Sequence, residues 1–330
     1  MKHLCITEMG TFLGTNGARL VVHEKDSVVA EYPLSRIRSI TVAKTGISLS
    51  SNLILACASR GIKMFFNDYR GRPLACLAGL HSHAVAEARR YQMKYCESDN
   101  ASDLASAVIR GKLRNQRAVL NYFAKYNGKD CEATAIALKN AATALEDCAK
   151  ETVQITATPG WRNSLMGLEG RGAAAYFQAL SQTGLLPEPF VQRLGRGADD
   201  VINSALNYGY AILSSYIWNA VINAGLEPFI GFLHVERPGK PSLVLDLQEE
   251  YRAWAVDRVI IKNRAALIKA QILDPTLKKK IITGVQKTFA TKYPYKGRKM
   301  TLESILQRQV YNISGHFAGN RIYRPYPFKW

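Results

Sequence analysis

The rhythm of apolar and polar positions changes once along this chain, near residue 82. Before that point, short runs rich in β-branched and aromatic residues alternate with turn signals. Residues 4–7, 19–23, 27–31, 37–42, 61–66 and 73–78 read as strands, separated by T-N-G at 15–17, K-D at 25–26 and D-Y-R-G at 68–71. One helix is expected among them, with Ser51 as N-cap and Leu53, Ile54, Cys57 and Ala58 as its apolar face. From residue 83 onward the spacing is helical. Helices are expected over 84–96, 102–126, 134–149, 161–182, 201–211, 253–261 and 265–272, with a last one carrying Leu302, Ile305, Leu306, Val310 and Ile313. In the helix over 102–126, Leu104, Val108, Leu113, Leu120 and Phe123 form one broad stripe, and Arg110, Lys112, Arg114 and Arg117 fall largely off it.

The stretch 208–233 is apolar enough to resemble a membrane span. Asn219, Asn223 and the Glu227-Pro228 break leave no uninterrupted run of about 18 residues, so it reads as a buried core helix that delivers the chain to His234. The pattern thus predicts an α+β protein. A small β-rich domain over 1–82, read as a folding and dimerisation module, precedes a larger all-α domain over 83–330.

Composition changes this picture in one respect. Apolar and charged fractions of 47% and 21% are ordinary for a globular chain, but 44 Lys and Arg against 26 Asp and Glu give a net charge of +18. That excess points to a polyanionic partner. Six scattered cysteines, with no C-x-x-C, fit small buried hydrophobes in a reducing cytoplasm. The opening M-K-H-L-C-I-T-E-M-G lacks the apolar region of a signal peptide. The expectation is a cytoplasmic, soluble protein.

Candidate chemistry gathers in G-F-L-H-V-E-R-P-G-K-P-S-L-V-L-D-L-Q-E-E-Y-R over 231–252. On a helix over 243–252, Asp246 shares a face with Glu249 and Glu250, and the Pro/Gly turn can fold that face beside His234. Imidazole and carboxylates at the edge of an apolar core suit a divalent cation. The ordinary reading of such acids is a solvated helix face. A second candidate is Glu169, on a helix whose apolar residues include Leu165, Leu168, Tyr176, Phe177 and Leu180. A carboxylate there needs a partner, whether a salt bridge or a metal. Gly170 and Gly172 beside it call for a packing reason, since each costs about 1 kcal/mol inside a helix. Lys278–Lys280, Lys287, Lys292, Lys296, Arg298 and Lys299 form a basic segment that suits phosphate, and the Pro- and aromatic-rich tail over 321–330 either docks on the body or reaches a partner.

L-E-G-x-x-A-A-x-Y-F at 168–177, His234, and D-L-Q-E-E-Y-R at 246–252 together resemble the CRISPR-associated integrase family, the metal-dependent endonucleases that insert new spacers into CRISPR arrays. I-T-E-M-G at 6–10, K-L-R-N-Q at 112–116 and N-S-A-L-N-Y-G-Y at 203–210 extend the resemblance nearly end to end. It implies Glu169, His234 and Glu249 as ligands of Mg²⁺ or Mn²⁺, with Asp246 as a further catalytic acid and Glu250 as an alternative third ligand. It also implies a homodimer, a small second spacer-acquisition protein, and double-stranded prespacer and repeat DNA as substrate. Tyr176, Arg193, Arg196, Lys240 and Arg252 are the candidate DNA contacts. The competing readings are a structure-selective nuclease on branched DNA and a non-catalytic DNA-binding scaffold.

Overall fold

The computed structural model describes residues 2–25, 27–68, 71, 73–79, 86–127, 131–195 and 197–329. The chain divides into two compact units, Met1–Ala84 and Val85–Trp330.

The first unit holds two four-stranded sheets. Strands β1 (Lys2–Ile6), β2 (Phe12–Asn16), β3 (Arg19–Glu24), β4 (Ser27–Pro33), β5 (Ile37–Val42), β6 (Ser48–Leu49), β7 (Lys63–Asn67) and β8 (Pro73–Leu77) run in chain order, with helix α1 (Ser51–Ser59) between β6 and β7. One sheet has the order β1-β5-β7-β8, parallel except for its last pair. The other has the order β4-β3-β2-β6 and contains the T-N-G turn as a β2–β3 hairpin. Leu4, Ile40 and Met64 from the first sheet, Leu13, Leu20 and Val22 from the second, and Leu53 and Cys57 from α1 share one core. The Ser50 side chain, rather than Ser51, caps α1 by accepting from the Leu53 N–H at 3.2 Å. Strand β2 has no counterpart in the sequence pattern, because Gly14 breaks a run that is otherwise strand-like.

The second unit is mostly helical. It comprises α2 (Ala86–Glu97), α3 (Ala101–Asn127), α4 (Glu132–Glu151), α5 (Trp161–Gln182), α6 (Val201–Asn223), α7 (Ser242–Gln248), a π-helical turn at Ala253–Asp257, α8 (Arg258–Lys262), α9 (Arg264–Ile268), α10 (Pro275–Ala290) and α11 (Leu302–Phe317). One hairpin, β9 (Lys292–Tyr295) with β10 (Arg298–Thr301), interrupts the helical pattern inside the basic segment. Leu104, Val108, Leu113, Leu120 and Phe123 of α3 are all buried, as their stripe demands. Helix α6 ends at Asn223, so His234 lies on a loop and not at the end of a helix. Helix α10 falls where only a run of lysines was expected. Asp274 caps it by accepting from the Leu277 N–H at 2.7 Å, and Pro275 stands at its first position, a start signal present in the sequence.

The tail docks on the body. Tyr323, Tyr326 and Phe328 are buried, and the Phe328 ring stacks on Trp254 with centroids 5.0 Å apart. The Asn115 side chain donates to the Tyr326 carbonyl at 3.0 Å and accepts from the Phe328 N–H at 3.1 Å. Among the described residues no helix is long and apolar enough to cross a membrane.

Candidate active site

Three helical segments of the second unit bring their charged side chains to one point. Glu169 comes from the middle of α5, Glu249 from the first residue after α7, and Lys112 from the middle of α3. The Lys112 ammonium donates to Glu169 Oε1, and it lies 2.5 Å from Glu249 Oε2. Arg252, one turn beyond Glu249, reaches its other oxygen at 3.1 Å. All but Arg252 are largely withdrawn from water, with side-chain exposures of 8%, 16% and 5% for Lys112, Glu169 and Glu249. Burial raises the Glu249 carboxyl, but the charges of Arg252 and Lys112 outweigh it and hold the group at about 2. Burial likewise opposes the Lys112 charge, and Glu249 and Glu169 overcome it, so its pKa stands above the ordinary value.

Glycine explains part of this approach. A Cβ on Gly172 would lie 2.3 Å from Leu113 Cδ2, so α5 and α3 meet closely one turn from the carboxylate of Glu169. Gly170 has open space and carries no such contact.

His234 is held from behind. Asp246 is wholly buried; its Oδ2 accepts from the Phe232 and Leu233 N–H groups at 2.8 and 3.0 Å, and its Oδ1 accepts from the His234 N–H at 2.9 Å. His234 Nδ1 lies 2.6 Å from the same Oδ1. A carboxylate only accepts, so Nδ1 carries the proton, and in the neutral imidazole Nε2 is then the nitrogen with the lone pair. The backbone must come in close for this: a Cβ on Gly231 would stand 2.5 Å from Asp246 Oδ2. When protonated, the His234 imidazole adds to the lowering of the Glu249 carboxyl.

The carboxylates open onto a cleft of about 610 Å³, lined by Lys112, Gln116, Glu169, Arg193, Tyr210, Glu249, Arg252 and Asp257 among others. Asp257 sits on the π-helical turn, a distortion frequent at functional sites. It accepts from the Tyr210 hydroxyl at 2.6 Å and the Tyr176 hydroxyl at 3.1 Å. Burial still lifts its carboxyl to about 6. Two guanidiniums lie over the Tyr210 ring, Arg193 at 5.1 Å and Arg252 at 4.9 Å from its centroid.

A family model, CRISPR associated protein Cas1, matches residues 4–287. The chain belongs to the Cas1 family. It is 48% identical, over the full length of both chains, to a CRISPR-associated endonuclease Cas1 of Francisella tularensis subsp. novicida. Among solved structures it resembles a casposase bound to integration product, with TM-score 0.79, 20% identity and coverage of 100% of this chain and 95% of that one. It also resembles a chain of a Cas6-RT-Cas1–Cas2 complex, with TM-score 0.78, 20% identity and coverage of 100% and 36%. These likenesses show a shared fold, β-rich first and mostly helical after, in a family of CRISPR-associated endonucleases.

Within this Cas1 fold the Glu249/Glu250 pair is separated by direction. Glu249 faces Lys112 and Glu169, whereas Glu250 turns to the tail, accepting from the Tyr323 hydroxyl at 2.6 Å and the Tyr326 N–H at 2.8 Å. Tyr176, expected as a DNA contact, is wholly buried, and its hydroxyl donates to Asp257 at 3.1 Å. Arg193 and Arg252 line the cleft, Lys240 donates to the Val235 carbonyl at 3.3 Å on the loop before α7, and Arg196 lies outside the described residues. Lys112, expected on a polar face, is buried instead. Its signal was the K-x-x-N-Q spacing, which puts Lys112, Asn115 and Gln116 on one face of the helix, where all three are buried.

Among the described residues no three His, Cys, Asp or Glu side chains stand ready as a ligand cluster. Two of the expected ligands, Glu169 and Glu249, nevertheless offer oxygen donors of the kind a divalent cation takes. Two carboxylates from different segments already share one cation, the Lys112 ammonium, at the cleft, whereas the imidazole of His234, oriented by Asp246, is not among the residues that line it.

Proposed function

We propose that this chain is a divalent-metal-dependent DNA endonuclease and strand-transfer integrase that inserts short duplexes into a CRISPR array. The observation that carries the reading is the convergence of Glu169 and Glu249 on one cation position in a cleft with Arg193 and Arg252 on its walls. Glu169, Glu249 and His234 would hold Mg²⁺ or Mn²⁺, which supplies Lewis-acid polarisation of a phosphodiester and neutralises charge on its oxygens. Asp246 keeps the imidazole turned and its proton on Nδ1. Arg193 and Arg252 draw the non-bridging phosphate oxygens into the cleft, and the basic surface adds backbone contacts without sequence preference. In the transfer step a 3′-hydroxyl oxygen of the incoming duplex bonds to the phosphorus of the repeat. The repeat's own 3′-oxygen leaves and takes up a proton, and phosphodiester number is conserved. The integration product held by the casposase neighbour supports strand transfer, and the Cas1–Cas2 neighbour supports a small second protein as partner. The proposal takes this chain to act as a homodimer.

The test is a labelled 3′-hydroxyl duplex incubated with a repeat-bearing plasmid and Mn²⁺, with and without the second protein. Label should join the plasmid, and Glu169→Gln, His234→Ala and EDTA should each abolish the transfer. Nicking without label transfer would support the branched-DNA nuclease instead. Binding without any reaction, unchanged by these substitutions, would leave a scaffold.

A further inference from the structure

Lys112 is a buried cation placed between two residues that the proposed function assigns to a metal. We infer that Lys112 is a built-in counter-cation of that site: its ammonium holds Glu169 and Glu249 together and competes with the divalent ion for the same two carboxylates. The inference rests on the metal-dependent reading and adds to it a residue that sets metal affinity.

The geometry leaves little other use for the group. Its Nζ donates to Glu169 Oε1 and lies 2.5 Å from Glu249 Oε2, while Arg252 takes the remaining Glu249 oxygen at 3.1 Å. Two carboxylates, one ammonium and one guanidinium balance in charge within a site largely closed to water. A divalent ion added between the same carboxylates, with the ammonium in place, would put excess positive charge at contact distance in a poorly screened interior. The ammonium must therefore leave for the ion to enter. Space for that exists, since Lys112 lines the 610 Å³ cleft.

The exchange is confined to one side chain, because the backbone of α3 is pinned around it. A Cβ on Gly111 would lie 2.5 Å from Pro325 Cβ, and Asn115 donates to the Glu250 and Tyr326 carbonyls at 2.9 and 3.0 Å. Only the torsions of Lys112 itself can carry its ammonium in and out. The same contact preorganises the site, holding two buried carboxylates at one point that would otherwise repel each other.

Mn²⁺ is titrated calorimetrically into the wild type, Lys112→Met, Lys112→Arg and Glu169→Gln, with melting temperatures measured in EDTA and in Mn²⁺. Lys112→Met should bind Mn²⁺ at least tenfold tighter, melt lower in EDTA and gain more from Mn²⁺, while Lys112→Arg stays near wild type. In the wild type, saturating Mn²⁺ should raise acylation of Lys112 by an amine-reactive ester, mapped by mass spectrometry. That readout decides the matter if Lys112→Met does not fold. Equal or weaker Mn²⁺ binding by Lys112→Met, or unchanged labelling of Lys112, would overturn the inference. So would weaker DNA binding by Lys112→Met with an unaltered Mn²⁺ affinity, which marks a phosphate contact instead. If neither wild type nor Lys112→Met binds Mn²⁺, the metal-dependent reading falls and the inference with it. If the wild type binds and Glu169→Gln does not, that reading stands and Lys112 alone is on trial.

Discussion

Removal of the Asp246 carboxylate separates its two roles, in stability and in ligand orientation. It accepts from three backbone N–H groups and from the imidazole of His234, at 2.6–3.0 Å, and no part of it is exposed. Phe232 and Leu233 are buried as well, so their N–H groups have no water to turn to. Each donor left unsatisfied costs about 1–3 kcal/mol. With the two buried ones orphaned, Asp246→Ala should lose about 2–6 kcal/mol, a large share of the ~5–15 kcal/mol that holds a domain together. Asp246→Asn keeps one acceptor oxygen and turns an amide donor toward the other pair of N–H groups, for a loss of about 2–3 kcal/mol. Urea unfolding in EDTA, followed by tryptophan fluorescence, measures both without any contribution from bound metal. Where Asp246→Asn remains folded, Mn²⁺ affinity should fall by about 10–100-fold, because Nε2 of His234 is no longer held as the lone-pair nitrogen. An Asp246→Ala protein within about 1 kcal/mol of wild type would refute the reasoning, since it would mean that the two buried N–H groups find other partners.

Four further outcomes follow from the same contacts. Gly170→Ala should stabilise by about 0.5–1 kcal/mol, since its Cβ meets open space in mid-helix, as checked by thermal melting. Gly172→Ala should destabilise by about 1 kcal/mol despite the same gain in helix propensity, because its Cβ would stand 2.3 Å from Leu113; a rise in melting temperature counts against the close packing of α5 and α3. Phe328→Ala should cost about 3–4 kcal/mol by removing the ring stacked on Trp254, which urea titration detects and an unstructured tail would not show. Asp257, lifted to about 6 by burial, binds its proton more tightly folded than unfolded. Its contribution is therefore full below the unfolded value of about 4 and is lost as pH rises through about 6. The stability of the wild type relative to Asp257→Asn should fall by up to about 3 kcal/mol between pH 4 and pH 7, and a difference that grows with pH would reverse the sign of the argument.

The sequence by itself determined what depends on near neighbours. The change from two-residue to helical periodicity near residue 82 marks the change from sheets to helices, because each element buries the face that its own spacing creates. Asp246 could be set beside His234 from the Pro/Gly turn between them, a contact spanning only 12 residues. Where the local signal is weak the pattern does not show the element: Gly14 interrupts the run of β2, and the lysines of 278–280 break the apolar spacing of the helix that starts at Asp274-Pro275. The tertiary structure alone decided which charges meet. Glu249 and Glu250 are neighbours with the same chemistry, and only the packing of α3 and the tail sends one to Lys112 and the other to Tyr323. Lys112 and Glu169 are 57 residues apart, and their contact needs α3 and α5 to cross at Gly172. Periodicity states that a polar residue lies off an apolar stripe. It does not state whether water or a buried carboxylate waits there, because that is fixed by how helices distant in sequence cross.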